Sequence, residues 1–370
     1  MVAPARALSG FPGHGVLAGG SLGAAHGALV GGWSGASIHG SDLTPPSDFA
    51  RAGATMPAPA PPVAALRWRG RPPDVVRPLL PPQDPLASLV EGSVPAGRRF
   101  CSGCDAALGP ERGQCPGCGQ TFSFVPTLGR GERVAGRYEV KGTLAFGGLG
   151  WIYLALDQVL GRWVVLKGVL NTHDPRLLAV AAQEREHLAA LRHPQVVALH
   201  DVLTHGREGF LVMEYVNGRS LAALRRQAGG PLPPADALAY LVEALPALEY
   251  LGSMGLIHCD IKPDNLMVEE GAGVRLIDLG AVRRVDQEGG DVYGSRGYSA
   301  PEADERPSLR SDVYSAGRTL AVLVASFDYQ GAHEHSLPPA SECEVWRRHP
   351  PLLALLERAT AARPDDRFAS

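Results

Sequence analysis

The stretch GLIHCDIKPDN, residues 255–265, places a carboxylate, a lysine and an amide within one short segment. Asp260 offers the carboxylate, Lys262 the positive charge, and Asn265 a neutral oxygen donor. A second carboxylate, Asp278 in LIDLG, follows Asn265 by thirteen residues. Oxygen donors of this kind suit a hard, partly hydrated Mg²⁺ ion. The stretch therefore predicts a site in which a carboxylate works beside magnesium.

Further upstream lie the other parts that phosphoryl transfer requires. That chemistry needs a cover over the phosphates, a lysine for them, metal ligands, and a carboxylate that orients the nucleophile. LAFGGLGWIY, residues 144–153, is a glycine-rich turn between two strand-like segments, and VVLK places Lys167 on the next strand. Small residues let backbone amides approach phosphates closely. A plain hairpin and a surface lysine would explain either feature alone, but their order ahead of residues 255–278 predicts use of ATP with Mg²⁺ or Mn²⁺.

The periodicity of the chain predicts an α+β fold with two lobes. Residues 137–216 contain five strand-like segments and one helical stretch, and the chain beyond Gly218 is mainly helical. The spacing of all these motifs resembles that of eukaryotic-type serine/threonine protein kinases over roughly residues 137–370. We therefore expect a bilobal protein-kinase fold.

The resemblance implies a role for each motif position in this chain. Asp260 would orient the substrate hydroxyl, Lys262 would steady the transferring phosphate, and Asn265 with Asp278 would bind the metal. Lys167 would pair with a glutamate on the following helix. Its expected partner is Glu184, nine residues before His193, and Glu186 is the fallback.

A nucleotide site and three structural anchors follow from the same resemblance. The expected nucleotide-binding residues are Leu144, Ala145, Gly147, Gly148, Gly150, Ile152, Lys167, Met213, Glu214 and Val216. Ala145 stands where the first glycine of the loop is usual. The activation segment ends in YSAPE, residues 298–302, whose Glu302 would pair with Arg367 in RPDDRF. Asp312 lies at the usual place on the next helix.

Four of the six cysteines form two C-x-x-C pairs, Cys101 with Cys104 and Cys115 with Cys118. Each pair can place two thiolates on one side of a tight turn, and two such turns complete a tetrahedral site of four sulfurs. A segment this short has almost no core, so the metal would supply its folding energy. The sequence predicts a rubredoxin-like or zinc-ribbon module that binds Zn²⁺ or iron.

With this module directly ahead of the kinase motifs, residues 99–370 closely resemble the actinobacterial protein kinase G (PknG) family. Members are soluble and carry a disordered N-terminal segment. They normally continue into a C-terminal TPR domain, and they phosphorylate an FHA-domain regulator of 2-oxoglutarate and glutamate metabolism. Because this sequence ends at Ser370, we expect it to lack the TPR domain. The resemblance implies protein substrates, with an FHA-domain regulator as the candidate among them.

Composition sets the remaining boundaries. Residues 1–95 hold 15 of the 32 prolines and 14 of the 45 glycines, which predicts a disordered tail. We place the four-cysteine module at residues 96–128 and the kinase domain at 129–370, with an N-lobe at about 137–216 and a C-lobe at about 217–370. A net charge of −3 gives no reason to expect nucleic acid, and neither a signal peptide nor a membrane-spanning run is evident. The chain is predicted to be cytoplasmic.

Cys259 departs from the kinase pattern, because a positive residue usually stands between His258 and Asp260. Without that charge, a phosphate added to the activation segment lacks its usual partner. Residues 281–302 also contain no threonine. We expect an active enzyme that is not controlled by activation-loop phosphorylation. The alternative is a nucleotide-binding pseudokinase that serves as a scaffold.

Overall fold

The computed structural model describes residues 84–101, 104, 106–147, 150–169, 188–206, 208–269, 271–285, 294–303 and 305–369. The predicted tail over residues 1–95 therefore lies outside the described residues up to position 83. The helical stretch expected after Lys167 lies outside them up to position 187. The two-lobed kinase fold expected from the sequence is confirmed, and it follows a small four-cysteine module.

The four-cysteine module is built on a single hairpin. Its strands are β1 (Arg112–Gln114) and β2 (Thr121–Ser123), which pair antiparallel. Buried Leu108, Phe122 and Phe124 form a small core with Cys101 and Cys115. Arg99 holds the segments of the module together, because its guanidinium donates to Val94 O, Gly109 O and Glu111 Oε1 at 2.7–2.8 Å.

A six-stranded antiparallel sheet follows, in the order β3-β4-β5-β6-β8-β7. Its strands are β3 (Arg133–Val134), β4 (Tyr138–Gly147), β5 (Gly150–Asp157), β6 (Arg162–Val169), β7 (Leu199–His205) and β8 (Glu208–Glu214). The sequence predicted five strands, and the short β3 is the extra one. Alternate residues of the central strands, among them Tyr153, Val164, Leu166 and Val212, are buried in one core.

The rest of the chain is mainly helical. Its helices are α1 (Leu221–Gln227), α2 (Pro234–Ser253), α3 (Leu309–Val324), α4 (Glu344–Arg348) and α5 (Pro350–Ala359). Short strands connect them: β9 (Gly218–Ser220), β10 (Leu256–Ile257), β11 (Leu266–Glu269), β12 (Gly273–Leu276) and β13 (Arg283–Arg284). The mainly helical character of the chain beyond Gly218, predicted from the sequence, is confirmed.

The largest hydrophobic core joins α2 and α3 to the sheet strands above them. Leu251 and Leu320 pack there with Leu266 of β11 and Met213 of β8. The helix α3 is buried along almost its whole length, since thirteen of its residues are buried. It therefore forms the internal support on which the loops of the site rest. None of the described helices is long and apolar enough to cross a membrane.

Candidate functional site

The loop between β10 and β11 carries the residues of the opening stretch. The backbone N–H groups of His258 and Cys259 donate to the two carboxylate oxygens of Asp312, at 2.8 and 2.9 Å. Cys259 has a φ of 64°, in the left-handed region that a residue with a side chain rarely adopts. Burial raises the pKa of Asp312, against the effect of His258 and the two amides. The helix α3 thus fixes a strained backbone from below.

Asp260 is held in the middle of this loop by its own neighbours. Lys262 Nζ donates to its Oδ2 at 2.7 Å, and Asn265 Nδ2 donates to the same oxygen at 2.9 Å and to the backbone oxygen of Asp260 at 2.8 Å. No described residue donates to Oδ1, although this atom is buried. A buried carboxylate oxygen without a donor is costly, so it is suited to accept a proton or hydrogen bond from a bound molecule.

Asn265 and Asp278 are brought together by a hairpin. The strands β11 and β12 pair antiparallel with Leu266 opposite Leu276, so the residues just before β11 and just after β12 share one end. The backbone N–H of Ile277 donates to Asn265 O at 3.0 Å and closes that end. Because Asn265 donates through Nδ2 to Asp260, its side-chain oxygen is the atom left for a metal.

Lys167 reaches Asp278 from the other lobe. It lies on β6 between Ile152 and Leu211 of the flanking strands, and Lys167 as a whole is 8% exposed. Its Nζ donates to Asp278 Oδ1 at 2.5 Å, and the N–H of Gly280 donates to the same oxygen at 2.8 Å. Burial alone would raise the pKa of Asp278, but the charge of Lys167 lowers it. Glu184 and Glu186, the expected partners of Lys167, lie outside the described residues.

The predicted nucleotide-binding residues that the structure describes lie on β4, β5, β6 and β8 and just after β8. Leu144, Ala145 and Gly147 belong to β4, and Gly150 and Ile152 to β5. Gly148 lies outside the described residues. Met213 and Val216 are buried. The Glu214 side chain is engaged elsewhere, since it accepts from Arg275 at 2.6 Å and from the N–H of Ala198 at 3.1 Å.

The segment that precedes the four-cysteine module lies against this region. Val90 bridges to Thr143 of β4, with Val90 N donating to Thr143 O at 2.8 Å. Leu89 packs on Gly142, where an added Cβ would come within 3.0 Å of its Cδ1. Ser88 also hydrogen-bonds Tyr215, whose pKa is raised by burial above all. Residues 88–90 thus contact both the glycine-rich hairpin and the connection after β8.

The chemistry of the donors fits a hard divalent cation and a nucleotide. A carboxylate and an amide oxygen stand at one end of the β11–β12 hairpin, beside a lysine that is mostly buried. Both oxygen donors are of the type that Mg²⁺ prefers. Lys167 supplies a charge that complements phosphate, and Asp260 Oδ1 is a buried oxygen to which no described residue donates a hydrogen bond.

The four cysteines converge on one point. Their Sγ atoms all lie within 4.8 Å of one another, with 3.4 Å between Cys101 and Cys118 and 3.5 Å between Cys104 and Cys115. Metal–sulfur distances of about 2.3 Å place the sulfurs of a tetrahedral site about 3.8 Å apart. A Cβ on Gly117 would contact two of these sulfurs, at 3.4 and 3.7 Å. The arrangement fits a tetrahedral metal and does not choose between Zn²⁺ and iron.

An unbroken row of aromatic rings connects this module to the glycine-rich hairpin. Ring centroids lie 5.2 Å apart for Phe122 and Phe124, 5.3 Å for Phe124 and Phe146, and 5.2 Å for Phe146 and Trp151. Phe146 belongs to β4 and Trp151 to β5, on either side of the turn. Aromatic contacts at these spacings contribute packing energy beyond their buried area.

A buried ion pair secures the larger lobe beneath the site. Arg367 donates to both carboxylate oxygens of Glu302, at 2.6 and 2.8 Å, and its side chain is fully buried. Ser311 Oγ donates to Glu302 as well, at 2.7 Å, at the start of α3. The activation segment is therefore anchored at its end to the last residues of the kinase-like region.

Two residues near the site were not identified from the sequence. Ser295 Oγ accepts a hydrogen bond from Lys262 Nζ at 2.5 Å, so a hydroxyl of the activation segment contacts the lysine that lies two residues after Asp260. The signal available was its position six residues before Pro301. Burial raises the pKa of the Cys259 thiol to about 12, and the nearby charge of Arg283 on β13 acts to lower it. A positive charge is therefore near this loop, although Cys259 itself carries none.

Comparison with known proteins is consistent with this geometry. Residues 138–342 match the protein kinase domain family. The chain is 42% identical to the serine/threonine-protein kinase PknG of Mycobacterium leprae over 311 residues, which covers 78% of this chain and 40% of that protein. It is also 42% identical to PknG of Mycolicibacterium smegmatis over 310 residues, with 79% and 40% covered. The match to PknB of the latter organism is 32% over 267 residues, with 64% and 41% covered. The chain spans about 40% of the length of these PknG relatives.

Proposed function

Because the chain belongs to the protein kinase family, and within it resembles the PknG kinases, we propose that it transfers the γ-phosphate of ATP to serine and threonine hydroxyls of proteins. The observation that carries the proposal is the convergence of Asp260, Lys262, Asn265, Lys167 and Asp278 at one site. Lys262 and Asn265 both donate to Asp260. Lys167 and Asp278 form an ion pair across the lobes.

Asp260 would accept the proton of the substrate hydroxyl through Oδ1, the buried oxygen to which no described residue donates a hydrogen bond. Its other oxygen receives two donors and so fixes the orientation of the carboxylate. Lys262 is held between Asp260 and Ser295, where its charge can face the transferring phosphate. A general base positioned in this way contributes about 10²–10⁴-fold to the rate.

The metal would be held by the side-chain oxygen of Asn265 and by the carboxylate of Asp278. When bound, Mg²⁺ or Mn²⁺ neutralises charge on the phosphates and aligns them for in-line transfer. Lys167 would contact the nucleotide phosphates from β6, and Glu184 would orient it. The ATP base would lie between the β4–β5 hairpin and residues 213–216, in the manner that the sequence predicts.

We further propose that this activity does not need a phosphorylated activation segment. Cys259 is buried and uncharged, and the nearby Arg283 is only 8% exposed. A phosphate on the activation segment would therefore find no solvent-accessible arginine at either position, and an accessible arginine is what such a switch uses. Control would then come from the segments ahead of the kinase region, and the aromatic row from Phe122 to Trp151 is a physical connection between them.

The test is transfer of labelled phosphate from ATP to a generic protein substrate, followed by phosphoamino acid analysis. We expect label on serine and threonine, and loss of nearly all transfer in Asp260→Asn with nucleotide binding retained. If the wild-type chain labels neither serine nor threonine, although wild type and Asp260→Asn both bind ATP, the pseudokinase alternative is favoured. Label on tyrosine alone would contradict the proposed specificity.

The resemblance to PknG extends the proposal to one substrate class and to location. A purified FHA-domain regulator of glutamate metabolism would be phosphorylated on a serine or threonine. The same labelled assay measures this, with Asp260→Asn as the negative control. Absence of label on the FHA protein, while the generic substrate is labelled, would remove the FHA proposal and leave the kinase proposal standing. A cytoplasmic location stays a prediction.

A further inference from the structure

A fully buried arginine, Arg318, lies in the middle of α3. Among the described residues no carboxylate forms an ion pair with it, and its guanidinium carbon lies 5.5 Å from the centre of the Phe327 ring. A buried charge without a counter-charge is unfavourable unless its hydrogen-bonding groups are satisfied. An aliphatic side chain would fill the same volume without that cost, so the guanidinium must be explained by what it binds.

The guanidinium of Arg318 binds backbone carbonyls of two separate segments. Its Nε donates to Gly297 O at 2.8 Å, in the activation segment. Its terminal nitrogens donate to Tyr329 O at 3.4 Å, to His333 O at 2.7 Å and to Ser336 O. These last three carbonyls belong to residues 327–336, which we call the 327–336 loop. One planar cation therefore connects the activation segment to this loop.

Other contacts join the same two segments. The rings of Tyr298 and Tyr329 lie 5.3 Å apart, and the Tyr329 hydroxyl hydrogen-bonds Tyr298. Gly297 has a φ of 83°, and a Cβ there would clash with the backbone oxygen of Tyr329. At the surface Arg296 pairs with Glu334 at 2.9 Å. The close approach requires glycine at position 297, and it holds only if the loop keeps its conformation.

We propose that Arg318 is a positioning residue for the protein substrate. It fixes residues 294–299, the part of the activation segment next to Lys262, against the 327–336 loop, and this loop forms the second wall of the surface on which a substrate polypeptide lies. This inference rests on the proposed kinase function. The five N–H donors of arginine are arranged in a rigid plane, which suits it to fix several carbonyls at once.

The proposal predicts a selective defect in Arg318→Met. The 370-residue chain is assayed with myelin basic protein as substrate, and ATP hydrolysis is measured separately without any protein substrate. If the surface is correctly arranged only about one-tenth of the time, the KM for the protein rises about tenfold. The KM for ATP and the substrate-free hydrolysis stay unchanged. Arg318→Lys restores the KM in part, because an ammonium has fewer donors and no planar geometry.

Matched variants keep the test valid if the core substitution impairs folding. Arg225→Met removes another arginine that donates to a carbonyl next to this loop, Ala325 O at 3.2 Å, but that donates no hydrogen bond to a described residue of the activation segment. It should leave the KM for the protein unchanged. Tyr329→Phe and Glu334→Gln each remove one contact between the segments without opening the core, and each should raise that KM by a smaller factor.

Equal losses in protein phosphorylation and in substrate-free hydrolysis would overturn the inference, because they indicate a merely structural role. An unchanged KM in Tyr329→Phe and Glu334→Gln, or an equal rise in Arg225→Met, would overturn it as well. A wild-type chain that hydrolyses ATP but labels no protein would contradict the proposed function itself, and so the two failures are distinguishable.

Discussion

Asp312→Asn tests how α3 supports the loop that carries Asp260. Both oxygens of Asp312 are occupied, by the amides of His258 and Cys259 at 2.8 and 2.9 Å. Asparagine keeps one acceptor and presents an NH₂ group to the other amide. The variant therefore loses one charge-assisted hydrogen bond and places the NH₂ group of asparagine against a backbone N–H, so that two donors face each other. The shape of the side chain is retained.

The magnitude follows from two opposing effects. A hydrogen bond to a charged group contributes about 1.5–3 kcal/mol, and a buried donor left without a partner costs about 1–3 kcal/mol. Burial raises the pKa of Asp312, which means that the charged form is disfavoured, so its removal returns part of the loss. We expect a net destabilisation of about 2–3 kcal/mol, which lowers the melting temperature by roughly 5–10 °C for a domain of this size.

The effect on catalysis should exceed the effect on stability. The hydrogen bonds from the amides of His258 and Cys259 to Asp312 help to hold Cys259 at its φ of 64°. If the loop relaxes, Asp260 moves, and a misplacement of about 1 Å costs about 10²-fold in rate. Urea unfolding gives the free energy, and kcat is measured at a temperature at which the variant is folded.

Asp365→Asn is the matched control, because its carboxylate is 79% exposed and, within the described part of the chain, forms an ion pair with Arg310 alone. We expect it to change stability by less than about 0.5 kcal/mol and to leave kcat unaltered. The reasoning is refuted if Asp312→Asn is as stable and as active as wild type, or if its kcat falls only in proportion to the unfolded fraction.

Three further predictions concern other parts of the chain. Two bonds from Arg137, at 2.8 and 2.7 Å, lower the pKa of buried Asp157 from 3.8 to about 2; the stabilisation is therefore full above about pH 4 and is lost as the pH falls toward 2. In urea titrations Asp157→Asn should be less stable than wild type at pH 7, with a difference that shrinks as the pH falls from about 4 toward 2; a constant difference would contradict the assignment. Replacing Cys101 and Cys104 together by serine should abolish metal binding and alter kcat while the Asp260 loop stays folded; loss of metal with unchanged turnover would refute coupling through the aromatic row. Complete dephosphorylation of the purified chain, checked by mass spectrometry, should leave kcat unchanged; a large fall would mean that the activation segment needs phosphate after all.

The local parts of this site could be predicted from the sequence because they are close together in the chain. Asp260, Lys262 and Asn265 lie within six residues, and the antiparallel β11–β12 hairpin brings Asp278 to the same end. Two C-x-x-C pairs specify a four-sulfur cluster in the same way. In each case the spacing and the turn chemistry leave few alternative geometries.

Contacts between distant segments could not be predicted, because packing decides them. Arg318 looks like an ordinary polar position of an amphipathic helix, yet α3 is buried on all sides and its guanidinium finds carbonyls up to 21 residues away. Ser295 meets Lys262 only after the activation segment folds back over the loop. The pairing of Lys167 with Asp278 spans 111 residues and depends on how the lobes meet.

The central claim is that Asp260 serves the chemical step and not the binding of nucleotide. Its most direct test compares wild type and Asp260→Asn in a single-turnover reaction with ATP and Mg²⁺, alongside the dissociation constant for the same nucleotide. We predict a transfer rate that falls by at least about 10²-fold with little change in affinity. An equal transfer rate in the two proteins, or a rate loss fully explained by weaker nucleotide binding, would contradict the account.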